Sequence, residues 1–298
     1  MSSGGQSHIE GNKGKLPPGR IVELYGNDYR SAIDWSQHVE DAFCPYLQRT
    51  CVKTRKSRSD ETIGTCTVFN GRDFTPAIIC PHRFIDGHKV FVNCIHLLRL
   101  FEPGDDLRLF REVTIPGGGV DYVLAAVRRN KVVDFVGIEL QAIDTTGNVW
   151  PARQTFLRSK GIRAPLADAD QSKTFGMNWK MTAKTILLQL HHKIETFENV
   201  SKNLVLVCQD ILLSYMEKEF SFGQFVKPLP ENPLHIHAYE LSQSPQAATL
   251  SLASRKSTDV AGVVAALGLQ AEAKVELDEI LRILNGKLEE SQPLHLVS

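Results

Sequence analysis

Residues 112–141 read EVTIPGGGVDYVLAAVRRNKVVDFVGIELQ, and their pattern predicts a β-hairpin. Two runs rich in Val, Ile and Leu flank the polar turn Arg128–Lys131, which is the arrangement expected of strand, turn and strand. If the turn centres on Asn130, Asp121 on the first strand lies directly opposite Glu139 on the second. The hairpin is therefore expected to bring two carboxylates side by side.

The polar side chains of this hairpin are candidates for a metal site. Glu139 and Gln141 are two residues apart, so on a strand they project from the same face. Opposed carboxylates repel each other unless a cation lies between them, and Mg²⁺, which takes oxygen ligands and keeps several waters, suits such a pair. Glu112, nine residues before Asp121, is a further candidate. The plainer alternative is that Asp121 caps a turn and that both glutamates are exposed strand residues.

The glycine run Gly117–Gly119 precedes Asp121. Glycine at the entry of a strand lets another backbone or a ligand approach closely. Strand periodicity alone favours the plainer interpretation of the carboxylates, and this run shifts the balance toward the functional one.

Four cysteines fall within 37 residues in the N-terminal part of the chain: Cys44, Cys51, Cys66 and Cys80. Four thiolates can bind zinc or iron tetrahedrally. None of them forms a tight C-x-x-C pair, so their spacing alone leaves open that they are packed as small buried groups. Cys94 and Cys208 lie in apolar segments and are expected to be buried in the core.

Taken in order, these motifs resemble the NotI family of type II restriction endonucleases. The matching segments lie between residues 40 and 150 and read FCPYLQRTCVKTRK, GTCTV, IICPHRF, GGGVDYVL and IELQAIDTTG. The resemblance implies an α/β fold with a PD-(D/E)XK restriction-endonuclease-like core, a mixed central sheet flanked by helices, and an N-terminal four-cysteine metal-binding loop region.

The resemblance also assigns roles to particular residues. Asp121 and Glu139 would hold the catalytic Mg²⁺, Gln141 would complete the site, and Glu112 is a further candidate. The wider superfamily usually has lysine where this chain has Gln141, whereas the NotI family ends this hairpin in Glu-x-Gln, so the resemblance implies glutamine here. A structural iron, or zinc as the alternative, would be held by Cys44, Cys51, Cys66 and Cys80.

The function implied is Mg²⁺-dependent hydrolysis of double-stranded DNA at a specific, GC-rich palindromic site. Palindromic sites are read by two-fold symmetric dimers, so a homodimer is expected, with a cognate DNA methyltransferase as a further partner. One alternative is a nuclease of the same core with low specificity, used in DNA repair or mobile-element processing. Another is a non-catalytic DNA-binding protein with a four-cysteine metal site.

The charge of the chain is neutral overall, with 34 basic and 34 acidic residues, but it is unevenly distributed. Residues 151–205 carry a net charge of +5 and residues 206–298 carry −5. Two basic clusters stand out, Arg49–Arg58 and Arg153–Arg163. Both are candidates for neutralising DNA phosphates, although a solvated loop is the alternative for each.

Targeting signals are not evident in the sequence. The first twenty residues have no apolar segment of the secretory type, and no apolar run approaches the roughly 20 residues that cross a bilayer. We therefore expect a cytoplasmic protein without a membrane partner, in which disulfides are unfavoured.

Three regions are expected along the chain: a disordered leader over 1–18, a helix with the four-cysteine metal-binding region over 19–100, and the nuclease core with a helical C-terminal periphery over 101–298. Hydrophobic periodicity predicts helices over 29–43, 177–198, 210–220 and 272–288, and strands over 203–208 and 234–239. The Ser- and Gln-rich segment 242–258 is expected to be an exposed loop.

Overall fold

The computed structural model describes residues 17–55, 57–71, 74–163, 175–243, 248–268 and 282. Within them the helices are α1 (Trp35–Asp41), α2 (Lys89–Val92), α3 (Trp150–Ser159), α4 (Trp179–Asn199), α5 (Asp210–Glu219) and α6 (Val260–Leu267). The strands are β1 (Ile21–Leu24), β2 (Asn27–Asp28), β3 (Phe43–Cys44), β4 (Arg49–Thr50), β5 (Thr54–Arg55), β6 (Arg58–Thr62), β7 (Thr65–Phe69), β8 (Pro76–Ile78), β9 (Asp106–Ile115), β10 (Gly118–Arg128), β11 (Lys131–Gln141), β12 (Thr145–Thr146), β13 (Gly176–Met177), β14 (Asn203–Gln209), β15 (Leu234–Gln243) and β16 (Ala248–Thr258). The leader expected over 1–18 and the helix expected over 272–288 lie outside the described residues, apart from 17, 18 and 282.

The fold is mixed α/β and is organised around a six-stranded sheet in the order β16-β15-β14-β11-β10-β9. Strands β9, β10 and β11 are antiparallel neighbours, whereas β11, β14 and β15 run parallel and β16 closes the sheet antiparallel to β15. The predicted hairpin therefore forms half of the sheet together with β9, and its second strand, β11, lies at the centre.

Both faces of this sheet are covered, which explains why β14 is buried along its whole length. Helices α4, α5 and α6 pack on one face through an apolar cluster that includes Leu190 and Met216. The other face is covered by the segment after the last clustered cysteine, which contributes Phe84, Phe91 and Leu97. Strands buried on both faces are typical of a parallel sheet layered between other elements.

A smaller four-stranded sheet, in the order β2-β1-β7-β8, is formed by the N-terminal region. Its buried residues pack with Phe156 and Leu157 of α3 in a third apolar cluster. Two of the four clustered cysteines belong to or adjoin its strands, Cys66 within β7 and Cys80 just after β8. The cysteine region is therefore built on a sheet of its own.

Most of the predicted elements are confirmed with small changes in length. Helices α4 and α5 and strands β14 and β15 occupy the expected segments, and β15 continues to Gln243. Helix α1 is shorter than the predicted 29–43 because the side chain of Asp34 accepts hydrogen bonds from the backbone of Ser36 and Gln37, which caps the helix there. No helix in the described ranges is both long and apolar enough to span a membrane.

The expected loop over 242–258 is wrong, because residues 248–258 form the edge strand β16. Ala248 and Leu250 are buried and the alternating Thr249 and Ser251 are exposed, as in a strand with one face toward the core. Ser and Gln content suggested a loop, but the polar residues here occupy the solvent side of an edge strand.

Two histidines of β15 are enclosed by the structure. His235 and His237 are 1% and 0% exposed, and the charges of Arg255 and His96 lie near them. Burial, followed by these neighbouring positive charges, lowers the pKa of His235 to about 4 and that of His237 to about 3. Both imidazoles are therefore neutral in the folded protein at neutral pH.

We expect the free energy of unfolding to fall as the pH drops below about 6.5. Below this pH the two histidines bind protons in the unfolded chain. In the folded protein they stay neutral until the pH approaches their pKa values of about 4 and about 3. Each histidine should cost about 2 kcal/mol of stability near pH 5. Urea titrations at a series of pH values measure this loss. The loss of stability should be smaller in His237→Gln and unchanged in His88→Gln, which changes an exposed histidine. If the free energy of unfolding depends equally on pH in the wild type and both variants, the assignment is contradicted.

Candidate active site

The hairpin pairs in the register expected from a turn at Asn130. Tyr122 lies opposite Ile138 and Ala126 opposite Asp134, and a bulge near the turn shifts only the last two pairs. The backbone pairing of β10 with β11 ends at Tyr122, next to Asp121. At Asp121 the side chain makes the contact between the strands instead, because the backbone amide of Leu140 donates to Asp121 Oδ2 at 2.8 Å. Asp121 is therefore held against the strand that carries Glu139.

A cavity of about 400 Å³ opens at this point of the sheet. It is lined by the glycine run 117–119, by Asp121 and Glu139, and by Gln189, His192 and Lys193 of α4. The two carboxylates expected from the hairpin thus share one cavity, and a helix supplies its opposite wall.

The helix also supplies a cation. Lys193 Nζ lies 2.7 Å from Glu139 Oε1, with side chains that are 9% and 7% exposed. Opposed carboxylates need a positive charge, and this ammonium provides one from a residue 54 positions further along the chain. The sequence patterns do not point to Lys193 directly. Its signal is that it falls on the apolar stripe of α4, where a charged residue is unexpected.

The protonation of Glu139 is shifted by its surroundings. Burial raises the pKa of this carboxyl to about 7, and the negative charge of Asp121 acts in the same direction, while Lys193 opposes them. A carboxyl with a pKa near neutrality can accept and return a proton under ordinary conditions. Perturbed carboxyls of this kind, placed in a cavity, are typical of functional sites.

The glycine run is what lets α4 come so close. Gly117 has φ +93°, and a Cβ atom at this position would lie 2.3 Å from the carbonyl oxygen of His192. Thr196 adds a hydrogen bond from its hydroxyl to the carbonyl oxygen of Pro116, at 2.8 Å. The close approach expected from the glycines is thus made by the backbone of α4, and it places Lys193 over Glu139.

The other two candidates of the hairpin do not line this cavity. The Gln141 amide donates to the carbonyl oxygen of Ala142 at 2.6 Å. Glu112 is exposed, and its φ of +51° interrupts β9 opposite Asp121. The structure therefore gathers Asp121, Glu139 and Lys193, and leaves Gln141 and Glu112 at the margin.

Basic side chains from the cysteine region and from β9 lie near His82, which is also close to Asp121. Burial lowers the pKa of His82, Asp121 raises it, and the positive charges of Arg49, Arg111 and Lys53 lower it further. All of these charges are therefore close enough to act on one imidazole. Positive groups therefore lie near the Asp121 end of the carboxylate pair, which would favour an anionic ligand such as a phosphate.

The clustered cysteines are brought into one region. Cys66 and Cys80 interact through a hydrogen bond between their thiols, which lowers the pKa of Cys80 to about 7. Charges on Cys80 and Cys44 both act on Cys51. The four thiols that are spread over 37 residues of sequence are thus neighbours in space.

Backbone amides point at two of these sulfurs. The amides of His82 and Arg83 favour the thiolate of Cys80, and those of Lys53 and Gly64 favour the thiolate of Cys51. Such hydrogen bonds stabilise the deprotonated form, which is the form that binds metals. The donor set and its amides are therefore suited to a thiophilic metal.

No group of three or more Cys, His, Asp or Glu side chains among the described residues has the geometry to hold a metal ion. The four thiols are gathered but do not close around one point, and the carboxylates in the cavity number two. Two carboxylates are an ordinary complement for Mg²⁺, which keeps waters for its remaining positions. The cavity thus fits Mg²⁺ by its donors, and the cysteines fit iron or zinc by donor chemistry but not by the present geometry.

The remaining cysteines are core residues, as expected. Cys94 and Cys208 are both 0% exposed. Burial raises the pKa of both thiols, that of Cys94 to about 12. Neither is part of the cysteine cluster.

The second basic cluster is only partly available to a ligand. Arg153 is 4% exposed and donates to the carbonyl oxygen of Ile63 and to the hydroxyl of Tyr25. Arg158 and Arg163 are exposed. The expectation that Arg153 neutralises a phosphate is therefore wrong, because its guanidinium holds α3 against the cysteine region.

Comparison with protein-family models and with curated proteins finds no match to this chain. Its function has therefore to be inferred from its own motifs and from the geometry of the Asp121, Glu139 and Lys193 cavity.

Proposed function

We propose that this chain is a Mg²⁺-dependent endonuclease of the PD-(D/E)XK type that cleaves double-stranded DNA at a specific site, as its resemblance to the NotI family implies. The observation that carries the proposal is the cavity where Asp121 and Glu139, on neighbouring strands of a mixed sheet, meet Lys193. A carboxylate pair with a buried cation, bordered by basic side chains, suits hydrolysis of a phosphodiester.

Asp121 and Glu139 would hold Mg²⁺, which when bound stabilises negative charge on a phosphate oxygen. Hydrolysis forms a bond from the oxygen of water to phosphorus and breaks the bond to the leaving sugar oxygen, which takes up a proton. Glu139 lines the same cavity and, as a carboxylate beside the reacting water, is placed to accept the proton that the water gives up. Asp121 is kept in position by the amide of Leu140.

Lys193 would provide the positive charge that Gln141 cannot. Most of the superfamily carries a lysine on the second hairpin strand, whereas here the nearby ammonium comes from α4 and bonds to Glu139 at 2.7 Å. A fixed cation beside the reacting phosphate stabilises the charge that develops in the transition state. The absence of lysine at position 141 is therefore compatible with the proposed chemistry.

Digestion of a mixed-sequence plasmid with and without Mg²⁺ tests the proposal. Discrete fragments that require Mg²⁺ support a site-specific endonuclease, and sequencing their ends gives the recognition site. A smear would favour the low-specificity nuclease of repair or mobile-element processing. DNA binding without any cleavage would favour the non-catalytic DNA-binding protein.

The proposal extends to the partners and to the cysteines. A GC-rich palindromic site would be cut by a homodimer, with a cognate DNA methyltransferase protecting the same site in the cytoplasm. Iron, or zinc as the alternative, would be bound by the clustered cysteines and would be structural. The support for it is the gathering of the four thiols and the amides directed at Cys51 and Cys80.

We expect the purified protein to contain about one iron per chain and to absorb visible light through ferric thiolate bonds. Cys80→Ser should lose both signals, whereas Cys94→Ser, which changes a buried cysteine outside the cluster, should keep them. Elemental analysis together with the absorption spectrum measures this. Zinc alone would replace iron in the proposal, and a metal-free protein with native stability would contradict the metal site.

A further inference from the structure

A second, larger cavity lies further along α4. Its volume is about 880 Å³, and its walls come from the loop after Cys51, from residues 143–149 after β11, and from the N-terminal half of α4. From α4, Met181 and Thr185 line this cavity, while Gln189 and His192 line the active-site cavity. These spacings of four, four and three residues put all four side chains on one face of the helix.

The two cavities therefore follow a single helix face. Met181 and His192 are eleven residues apart, which corresponds to about 16 Å along a helix. One strand of B-DNA carries a phosphate about every 3.4 Å of duplex axis, so a face lying along that axis would span about five nucleotides. That is the scale of a binding groove for a strand, and the C-terminal end of this face lies at the cavity that contains Glu139.

The far wall of the larger cavity is basic. Lys53 and Arg55 line it, and Lys53 donates to the carbonyl oxygen of Ile79 at 2.9 Å. Part of the charge of Arg55 is balanced by Glu61, at 2.9 Å. Lys53 follows Cys51 by two residues, so the cation on this wall belongs to the cysteine region.

The near wall carries groups that can bond to bases. Asn148, Asn178 and Thr145 line it, and amide side chains are well suited to hydrogen bonding with base edges. Asp144 is also part of this wall, and its carboxylate accepts a hydrogen bond from Thr182 at 3.2 Å. The cavity thus combines two cations, two neutral amides and one carboxylate, and its cations and amides are the groups expected to contact phosphates and bases, respectively.

The geometry points to this groove along α4 as the track of the DNA strand being cut, with Lys53 and Arg55 on its phosphates and Asn148 and Asn178 facing its bases. The inference rests on the proposed nuclease function and deepens it. The cysteine region then has a direct role in substrate binding, because one wall of the groove belongs to it.

Charge placed in the groove tests the track. Thr185→Glu adds a negative charge to the exposed groove face of α4, and Lys184→Gln changes the charge by the same amount at the adjacent residue, which does not line either cavity. We expect Thr185→Glu to weaken binding of a short fluorescent duplex of mixed sequence about tenfold, and Lys184→Gln to change it less than about twofold. Equal melting temperatures of the two variants verify that both are folded.

A salt titration gives a second, independent measurement. Lys53→Gln should reduce the slope of log binding constant against log salt by about 0.9, as expected for one lost phosphate contact, and Lys184→Gln should leave it unchanged. If the wild-type protein cuts plasmid DNA but Thr185→Glu and Lys53→Gln bind like Lys184→Gln, the track is wrong and the nuclease proposal stands. If the wild-type protein neither binds nor cuts DNA in Mg²⁺, both are overturned.

Discussion

Glu139→Gln is expected to abolish DNA cleavage, with a rate at least about 10³-fold below that of the wild type. The amide is nearly the same size as the carboxyl, but it cannot accept a proton or balance Mg²⁺, so the site keeps its shape and loses its chemistry. Binding of duplex DNA should remain measurable. Gel analysis of plasmid digestion in Mg²⁺, together with fluorescence anisotropy on a duplex, measures the two effects separately.

The same strand provides a matched control. Asp134 of β11 is also buried and also pairs with a lysine, Lys202, at 2.7 Å, but it does not line the cavity of Asp121 and Glu139. Asp134→Asn should therefore lose stability as Glu139→Gln does while retaining cleavage at temperatures where it is folded. Retained cleavage by Glu139→Gln, or equal loss of cleavage in both variants, would contradict the assigned site.

The stability of the Glu139 variant has its own explanation. Removing one partner of a buried ion pair leaves the other charge without compensation, which typically costs roughly 3–5 kcal/mol. Replacing both partners, in Glu139→Gln with Lys193→Met, should therefore be less destabilising than the sum of the two single changes. Urea unfolding of the four proteins measures this coupling.

Gly117→Ala is expected to lower the free energy of unfolding by about 2–4 kcal/mol and to impair cleavage as well. The added methyl would lie 2.3 Å from the carbonyl oxygen of His192, which is backbone and cannot rotate away, and φ at this position is +93°. Helix α4 would have to move off the hairpin, and Lys193 with it. Urea unfolding and plasmid digestion check the two consequences.

Gly119→Ala is the control for this change, since it adds the same methyl two residues later in the same glycine run. No atom lies within 4 Å of a Cβ at Gly119. This variant should have a free energy of unfolding close to that of the wild type. If the two alanine variants behave alike, the close approach of α4 does not explain the glycine run.

The local elements of this fold are readable from the sequence where the hydrophobic pattern is strong. The hairpin, α4, β14 and α5 each show a clear pattern, since strands alternate about every two residues and helices repeat about every 3.6. Even the register of the hairpin follows, because the turn at Arg129 and Asn130, both with positive φ, sets which residues face each other. Strand β16 was predicted as a loop because its outward-facing residues are polar. The Ser- and Gln-rich composition was given more weight than the alternation of buried and exposed positions.

The residues of the candidate site also differ in whether the local sequence predicts that they meet. Asp121 and Glu139 are neighbours through one short turn, so the local chain alone places them together. Lys193 reaches Glu139 only because β11 and α4 pack face to face, across 54 residues of chain. The local sequence pattern does not predict this contact. The one indication is that Lys193 falls on the apolar face of α4.

Sequence alone therefore determined which residues are candidates to carry the chemistry: the carboxylates of the hairpin, the four clustered cysteines and the glycine run. The tertiary structure decided which of them meet, and it added Lys193 of α4 as the ionic partner of Glu139. The physical reason is the distance along the chain over which each effect acts. Backbone periodicity acts over a few residues, whereas the position of α4 is set by apolar packing on the sheet and by the room that Gly117 leaves for its backbone.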